Sequence, residues 1–149
     1  MNITVFGGAQ PKEGTSAYEE ARELGSLLAQ RGHAVLTGGY MGTMEAVSRG
    51  AHEAGGHVIG VTCIDIEEWR KTKPNEWVKE ERRKQTLMDR LTALVEGCDA
   101  AIAPTRRRGH VDRSVADVEF DDRGVFAPEA VGTDRTRLAV HLRSVLRRV

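Results

Sequence analysis

Across residues 1–103, short apolar runs alternate with longer amphipathic stretches, and no other feature of this 149-residue chain constrains its fold as strongly. Residues 3–6, Ile3-Thr4-Val5-Phe6, form an apolar run that predicts a strand, followed by Gly7-Gly8 and a polar loop. Ser16-Ala17-Tyr18-Glu19 has the Ser-x-x-Glu form of a capping box and opens a helix carrying Ala17, Ala21, Leu24 and Leu28 on one face. Gly32 ends that helix, and residues 33–36 make a second strand. Gly38-Gly39-Tyr40-Met41-Gly42 leads into a helix with Met44, Val47 and Ala51 on one face, stopped by Gly55-Gly56. Residues 58–61 read as the third strand and 65–76 as a charged, proline-containing connection. One long helix then runs through Trp77, Leu87, Leu91, Leu94 and Val95 until Gly97 ends it before a fourth strand at 99–103. Apolar strands separated by helices are buried on both faces, so the pattern predicts an α/β fold: a Rossmann-like, doubly wound parallel sheet with helices on both faces. The length suits a single domain over 1–149.

Charge and cysteine usage narrow the function classes. Lys+Arg and Asp+Glu balance at 22 each, so no global field draws the chain to nucleic acid or to an anionic membrane. No segment has the length of a membrane span or the pattern of a signal peptide, which leads to the expectation of a cytoplasmic protein. Cys63 and Cys98 lack the paired spacing of a zinc site and read as reduced, buried thiols. His33, His52, His57, His110 and His141 share no spacing that suggests a metal, and neither a metal nor a cofactor is expected.

In such a sheet chemistry belongs at the strand-to-helix turns, and two of these are glycine-rich: Gly7-Gly8, and Gly38 through Gly42 with Thr43 and Met44. Glycines allow close backbone approach, and amides at a helix start offer hydrogen bonds and partial positive charge to a phosphate. One such pair alone is ordinary turn chemistry, but two in one sheet favour a phosphate site. The G-x-G-x-x-G pattern is absent after the first strand, and the second ends in Thr37-Gly38 with no acid to hold a ribose. A mononucleotide fits better than a dinucleotide. Arg90, three residues after Leu87 and four before Leu94, flanks the apolar stripe of its helix. That placement alone is more typical of a snorkelling surface residue than of a binding one. The charged run at 79–84 reads as a solvated helix face with i,i+4 pairs.

The segment LTGGYMGTMEAVSRGAHEAGGHVIGVT, residues 36–62, resembles the first signature of the LOG family, the lysine-decarboxylase-like proteins. Studied members are cytokinin riboside 5′-monophosphate phosphoribohydrolases. The likeness spans residues 1–103 and loosens over 63–84. It implies a Rossmann-like homodimer that cleaves the N-glycosidic bond of an AMP-like nucleotide, releasing base and ribose 5-phosphate. It also implies a catalytic role for Arg90, at the place of the family's helix arginine before the last strand. Gly7, Gly8, Gly38, Gly39, Gly42, Thr43 and Met44 are then the phosphate-binding positions.

The family's second signature, PGGxGTxxE, is missing. After Ala103 the chain runs Pro104-Thr105-Arg106-Arg107-Arg108-Gly109-His110-Val111-Asp112-Arg113. A one-base shift through codons that can encode this run permits LPGG(V/A)GTLTE. Downstream, Val118 can become a tryptophan and residues 129–135 can become KPLVLIG, as relatives have them. From Pro104 onward there is no Lys, Asn, Gln, Ile, Tyr, Met, Trp or Cys. Residues 104–149 therefore read as an out-of-frame tail that lacks the catalytic glutamate. The competing reading is a divergent C-terminus, with a basic amphipathic helix over 136–149 and a short strand around Val115, Val118 and Phe120. Three functions stay open: an impaired phosphoribohydrolase, a non-catalytic nucleotide or molybdenum-cofactor carrier, and a truncated product without function.

Overall fold

The computed structural model describes residues 1–103 and 139–142. In chain order the elements are β1 (Asn2–Val5), α1 (Ser16–Gln30), β2 (Ala34–Thr37), α2 (Thr43–Glu53), β3 (Val58–Cys63), α3 (Ile64–Arg70), β4 (Glu80–Lys84), α4 (Leu87–Glu96), β5 (Ala100–Ala103) and β6 (Ala139–Leu142). They build one sheet of order β4-β3-β2-β1-β5-β6. The first five strands are mutually parallel, and β6 runs antiparallel to β5 with Ala100 opposite Leu142. This is the expected Rossmann-like α/β sheet.

Alternation along the strands divides the core. Ile3, Val5, Val35, Val58 and Ile102 face α1 and α2, while Leu36, Ile59 and Val61 face Leu94 of α4. Helices therefore cover both faces. All six residues of β3 are buried, as a strand covered on both faces requires.

Five local expectations are corrected. The N-cap of α1 is Thr15 and not Ser16: extended at ψ 151°, Thr15 accepts through its hydroxyl from the Tyr18 amide at 3.4 Å. Within the connection at 65–76, residues up to Arg70 belong to α3, which Lys71 ends in the left-handed conformation at φ 49°. The charged run at 79–84 is no helix face, because residues 80–84 form β4, pairing residue by residue with 59–63 of β3. Ladder bonds to a buried neighbour override composition, and the charges suit an edge strand, where they deter pairing with another chain. Glu80 accepts from Arg82 at 2.7 Å and meets His57 at 2.9 Å. The long helix consequently begins only at Leu87, capped by Thr86, whose hydroxyl accepts from the Asp89 amide at 3.1 Å. Finally, residues 139–142, within the helix of the divergent-terminus reading, form β6. Residues 104–113, with Val115, Val118 and Phe120, lie outside the described residues.

The α1–α2 contact depends on glycine. A β-carbon on Gly50 would lie 1.8 Å from the Arg22 carbonyl oxygen, and one on Gly25 would lie 2.1 Å from that of Val47. In an open helix Gly→Ala stabilises by about 1 kcal/mol. Here the methyl meets backbone that no rotamer change can move, and overpacking of this kind costs about 1–3 kcal/mol. Gly50→Ala is therefore expected to lower the urea midpoint at unchanged m-value, and a midpoint equal to or above that of the parent chain would refute this account of the contact.

Candidate functional site

A cavity of about 660 Å³ opens at the carboxyl ends of β1 and β2, bounded by α3 and α4. This is the crevice that an open parallel sheet provides for ligands. Of the residues singled out from sequence, Gly7, Gly8, Gly38, Met44 and Arg90 line it, while Gly39, Gly42 and Thr43 are not among its lining residues.

The supporting residues join the two turns. The Thr43 amide donates to the Gly8 carbonyl at 2.9 Å, which brings the start of α2 against the turn after β1. Gly42 has φ +73°, and a β-carbon there would come within 2.5 Å of the Gly8 carbonyl oxygen. No L-residue with a side chain fits both that conformation and that gap. As N-cap of α2, Gly42 supplies no side-chain acceptor. The amides of Met44 and Glu45, next in the first turn, have no intrahelical acceptor by helix geometry and point toward the helix's positive end. The second turn is also tied to the loop after α3, since the Asn75 amide donates to the Gly39 carbonyl and its side chain to the Tyr40 carbonyl, each at 2.8 Å.

Tyr40 is buried within this turn. Its hydroxyl accepts from the Cys63 amide at 2.8 Å and donates to the Cys63 carbonyl at 3.0 Å, fixing the ring beside the end of β3. Burial, aided by the nearby Glu67 carboxylate, pushes its pKa up, so the phenol stays neutral.

Arg90 projects from the first turn of α4 under the sheet's carboxyl edge. Its Nε donates to the Val61 carbonyl at 2.7 Å, and Nη2 donates to the Gly38 carbonyl at 3.0 Å and approaches Met44 Sδ at 3.7 Å. The guanidinium lies 5.3 Å from the Tyr40 ring centroid, a cation–π distance. Burial pulls its pKa down from the ordinary guanidinium value, but an arginine remains cationic in a protein. The bonds to Val61, Gly38 and Met44 do not use Nη1, so a cation held at a fixed orientation keeps donors for a ligand. The surface-snorkelling expectation from helix spacing thus gives way to an inward residue that lines the cavity.

Several cavity residues were not visible from sequence. Asp65, Ile66, Trp69 and Arg70 come from α3, and the charged connection carried no periodic signal for that short helix. Tyr40 stood inside the glycine signature, but only the fold shows its ring beneath Arg90. Asp65 is the one carboxylate on the cavity wall among the described residues. These residues include no cluster of three or more His, Cys, Asp or Glu side chains that could hold a metal ion, and no helix long and apolar enough to cross a membrane. Cys63 and Cys98 are buried free thiols.

Comparison with known proteins follows the same geometry. The model of the SLOG cluster4 family matches residues 1–109. Over 60 residues the chain is 43% identical to the probable cytokinin riboside 5′-monophosphate phosphoribohydrolase LOGL5 of Oryza sativa subsp. japonica, covering 40% of this chain and 24% of that protein. Over 126 residues it is 29% identical to the same species' LOGL9, a probable enzyme of the same name, covering 84% of this chain and 55% of that one. The chain thus spans little more than half the length of these curated relatives at most. Among solved structures it resembles the molybdenum cofactor carrier protein of Chlamydomonas reinhardtii, with a TM-score of 0.59 and 27% identity over 72% of this chain and 64% of the other. On the family model's match to nearly three quarters of its length, with the glycine turns inside that match, the chain belongs to the SLOG cluster4 family of LOG-like Rossmann proteins.

Proposed function

We propose that the chain binds a nucleoside 5′-monophosphate such as AMP in this cavity and, as written, does not hydrolyse it. The observation that carries this reading is Arg90: a half-buried cation, anchored by two backbone carbonyls, lining the same cavity as Gly7, Gly8 and Gly38. A phosphate placed there meets backbone amides, the positive end of α2 and an oriented guanidinium. The likeness to phosphoribohydrolases supports a nucleotide as the occupant.

Hydrolysis of the N-glycosidic bond needs a carboxylate to assist attack by water and to stabilise an oxocarbenium-like transition state. In the LOG pattern that group is the glutamate of PGGxGTxxE, following the last parallel strand. This chain has three arginines there, and a guanidinium cannot accept a proton from water at neutral pH. We attribute the loss to a shifted reading frame near Ala103. A carrier role is the second reading, favoured by the resemblance to the molybdenum cofactor carrier structure. Saturable AMP binding without release of adenine is expected on both readings; a frame-restored chain that binds AMP and still releases no adenine would favour the carrier.

Three outcomes are expected. Gly42→Val weakens AMP binding sharply in calorimetry while the circular dichroism spectrum stays that of the parent, and undiminished affinity would remove the phosphate from this turn. Arg90→Ala weakens AMP roughly 10- to 100-fold, the worth of a charge-assisted hydrogen bond. Arg82→Ala, in an exposed pair with Glu80, leaves affinity nearly unchanged, and equal effects from the two would reduce Arg90 to a structural anchor. Restoring the frame near Ala103 produces adenine release from AMP that the unaltered chain lacks. Comparable release by the unaltered chain, or a gene whose neighbouring frame does not encode PGGxGTxxE, would defeat the frameshift.

A further inference from the structure

Besides the glycine turns and Arg90, the cavity is lined by large apolar side chains that stand in solvent. Trp69 is 77% exposed and Leu87 55%, with Met41 and Leu91 close behind at 46% and 47%; all four line the cavity. A cluster of large apolar side chains left in water at the entrance of a pocket marks a contact surface. Trp69 is the most exposed large hydrophobic residue among those described. It belongs to α3, a helix that buries none of its residues. The fold therefore gains nothing from an indole at this position. The Arg70 guanidinium lies 5.1 Å from the Trp69 ring centroid. At the observed exposure Arg70 shields at most part of one ring face and leaves the other open.

We propose that Trp69 is the stacking platform for the ligand's heterocyclic base, with Arg70 behind the indole. The inference rests on the nucleotide reading above and names the subsite that reading leaves unassigned. A nucleoside monophosphate has the polarity this cavity has, an anion at one end and a flat ring with apolar faces at the other. The phosphate sits at the glycine turns and Arg90, and the base reaches the apolar mouth. The volume of about 660 Å³ falls in the range of small-molecule pockets. An indole offers a large π-face to any base, and the Arg70 guanidinium on its far side holds the ring by a cation–π contact. Because stacking on a ring face reads no hydrogen-bonding edge of the base, the platform selects by ring area: a purine binds more tightly than a pyrimidine.

The chain has two tryptophans, and Trp77, packed on His52 and Arg49 away from the cavity lining, can be replaced by Phe to make Trp69 the sole indole reporter. In that background AMP should quench the Trp69 fluorescence saturably, and ribose 5-phosphate should compete with AMP while causing no quenching of its own. Calorimetry should show AMP binding more tightly than CMP. Trp69→Ala should weaken AMP roughly tenfold or more, the usual effect of removing one base-stacking aromatic. It should leave ribose 5-phosphate affinity unchanged, and Trp69→Phe should keep most of the AMP affinity. Because α3 buries no side chain, these variants are expected to unfold at the parent's temperature. AMP binding that Trp69→Ala leaves intact, or a Trp69→Ala effect confined to sedimentation and so to self-association, would overturn the platform while sparing the nucleotide site. Failure of both AMP and ribose 5-phosphate to bind the unaltered chain would overturn site and platform together.

Discussion

The contact on which the site depends is the pair of hydrogen bonds from Arg90 to the carbonyls of Val61 and Gly38. A parallel sheet presents carbonyls at the carboxyl ends of its strands, and a cation is the natural partner for them. Here the cation comes from α4, the helix that covers the second face of the sheet. The bonds fix the rotation of α4 against β2 and β3. They also hold the glycine turn after β2 open toward the cavity. A methyl on Gly38 would lie 1.9 Å from Arg90 Nη2, so the absence of a side chain at 38 and the placement of the guanidinium are one requirement.

The other face contributes through a second close approach. Gly50 and Gly25 let α1 and α2 meet backbone to backbone, and α2 is thereby held with its first turn over the β1 turn, where the Thr43 amide reaches the Gly8 carbonyl. Two layers packed independently thus converge on one small volume. From one side comes the positive end of α2, and from the other the half-buried cation of α4. Each favours negative charge, and both are oriented by backbone contacts.

What was legible in the sequence follows from burial. Strands β1, β2, β3 and β5 are apolar because both faces are covered, and their order of appearance with helices between them dictated the parallel sheet. The glycine turns were legible because their residue type reports a backbone requirement, φ > 0 or close contact. Strand β4 was not legible, since an edge strand holds its place through ladder bonds to one neighbour and can carry a charged sequence such as Glu80 to Lys84. Reading residues 80–84 as helix lengthens α4 by ten residues, yet keeps Arg90 in register with Leu87 and Leu94. Its inward direction was hidden, because a helix position beside an apolar stripe serves a snorkelling arginine and a buried one equally well. Trp69 and Asp65 were lost within a connection that has no periodicity, although α3 carries them both to the cavity.

Binding and hydrolysis separate cleanly in this arrangement. On the proposed nucleotide reading, the groups that would meet a phosphate all come from α2, α4 and the turns after β1 and β2, inside the segment matched by the family model. The carboxylate that a glycosidic hydrolase needs belongs to the segment after β5, where the chain departs from the LOG pattern. A change confined to that segment removes a transition-state interaction and leaves the ground-state contacts of the phosphate and base in place, so it is expected to abolish turnover while affinity survives. Asp65 does not substitute for the missing group on the present geometry: it sits on α3 with Trp69 and Arg70, the same short helix that provides the base platform. Catalysis demands a carboxylate at the glycosidic carbon, between base and phosphate, on a rigid support like the sheet's own carboxyl edge. On the proposed reading, a cavity with contacts for both ends of a nucleotide and without the glutamate of the LOG pattern would hold its ligand without spending it.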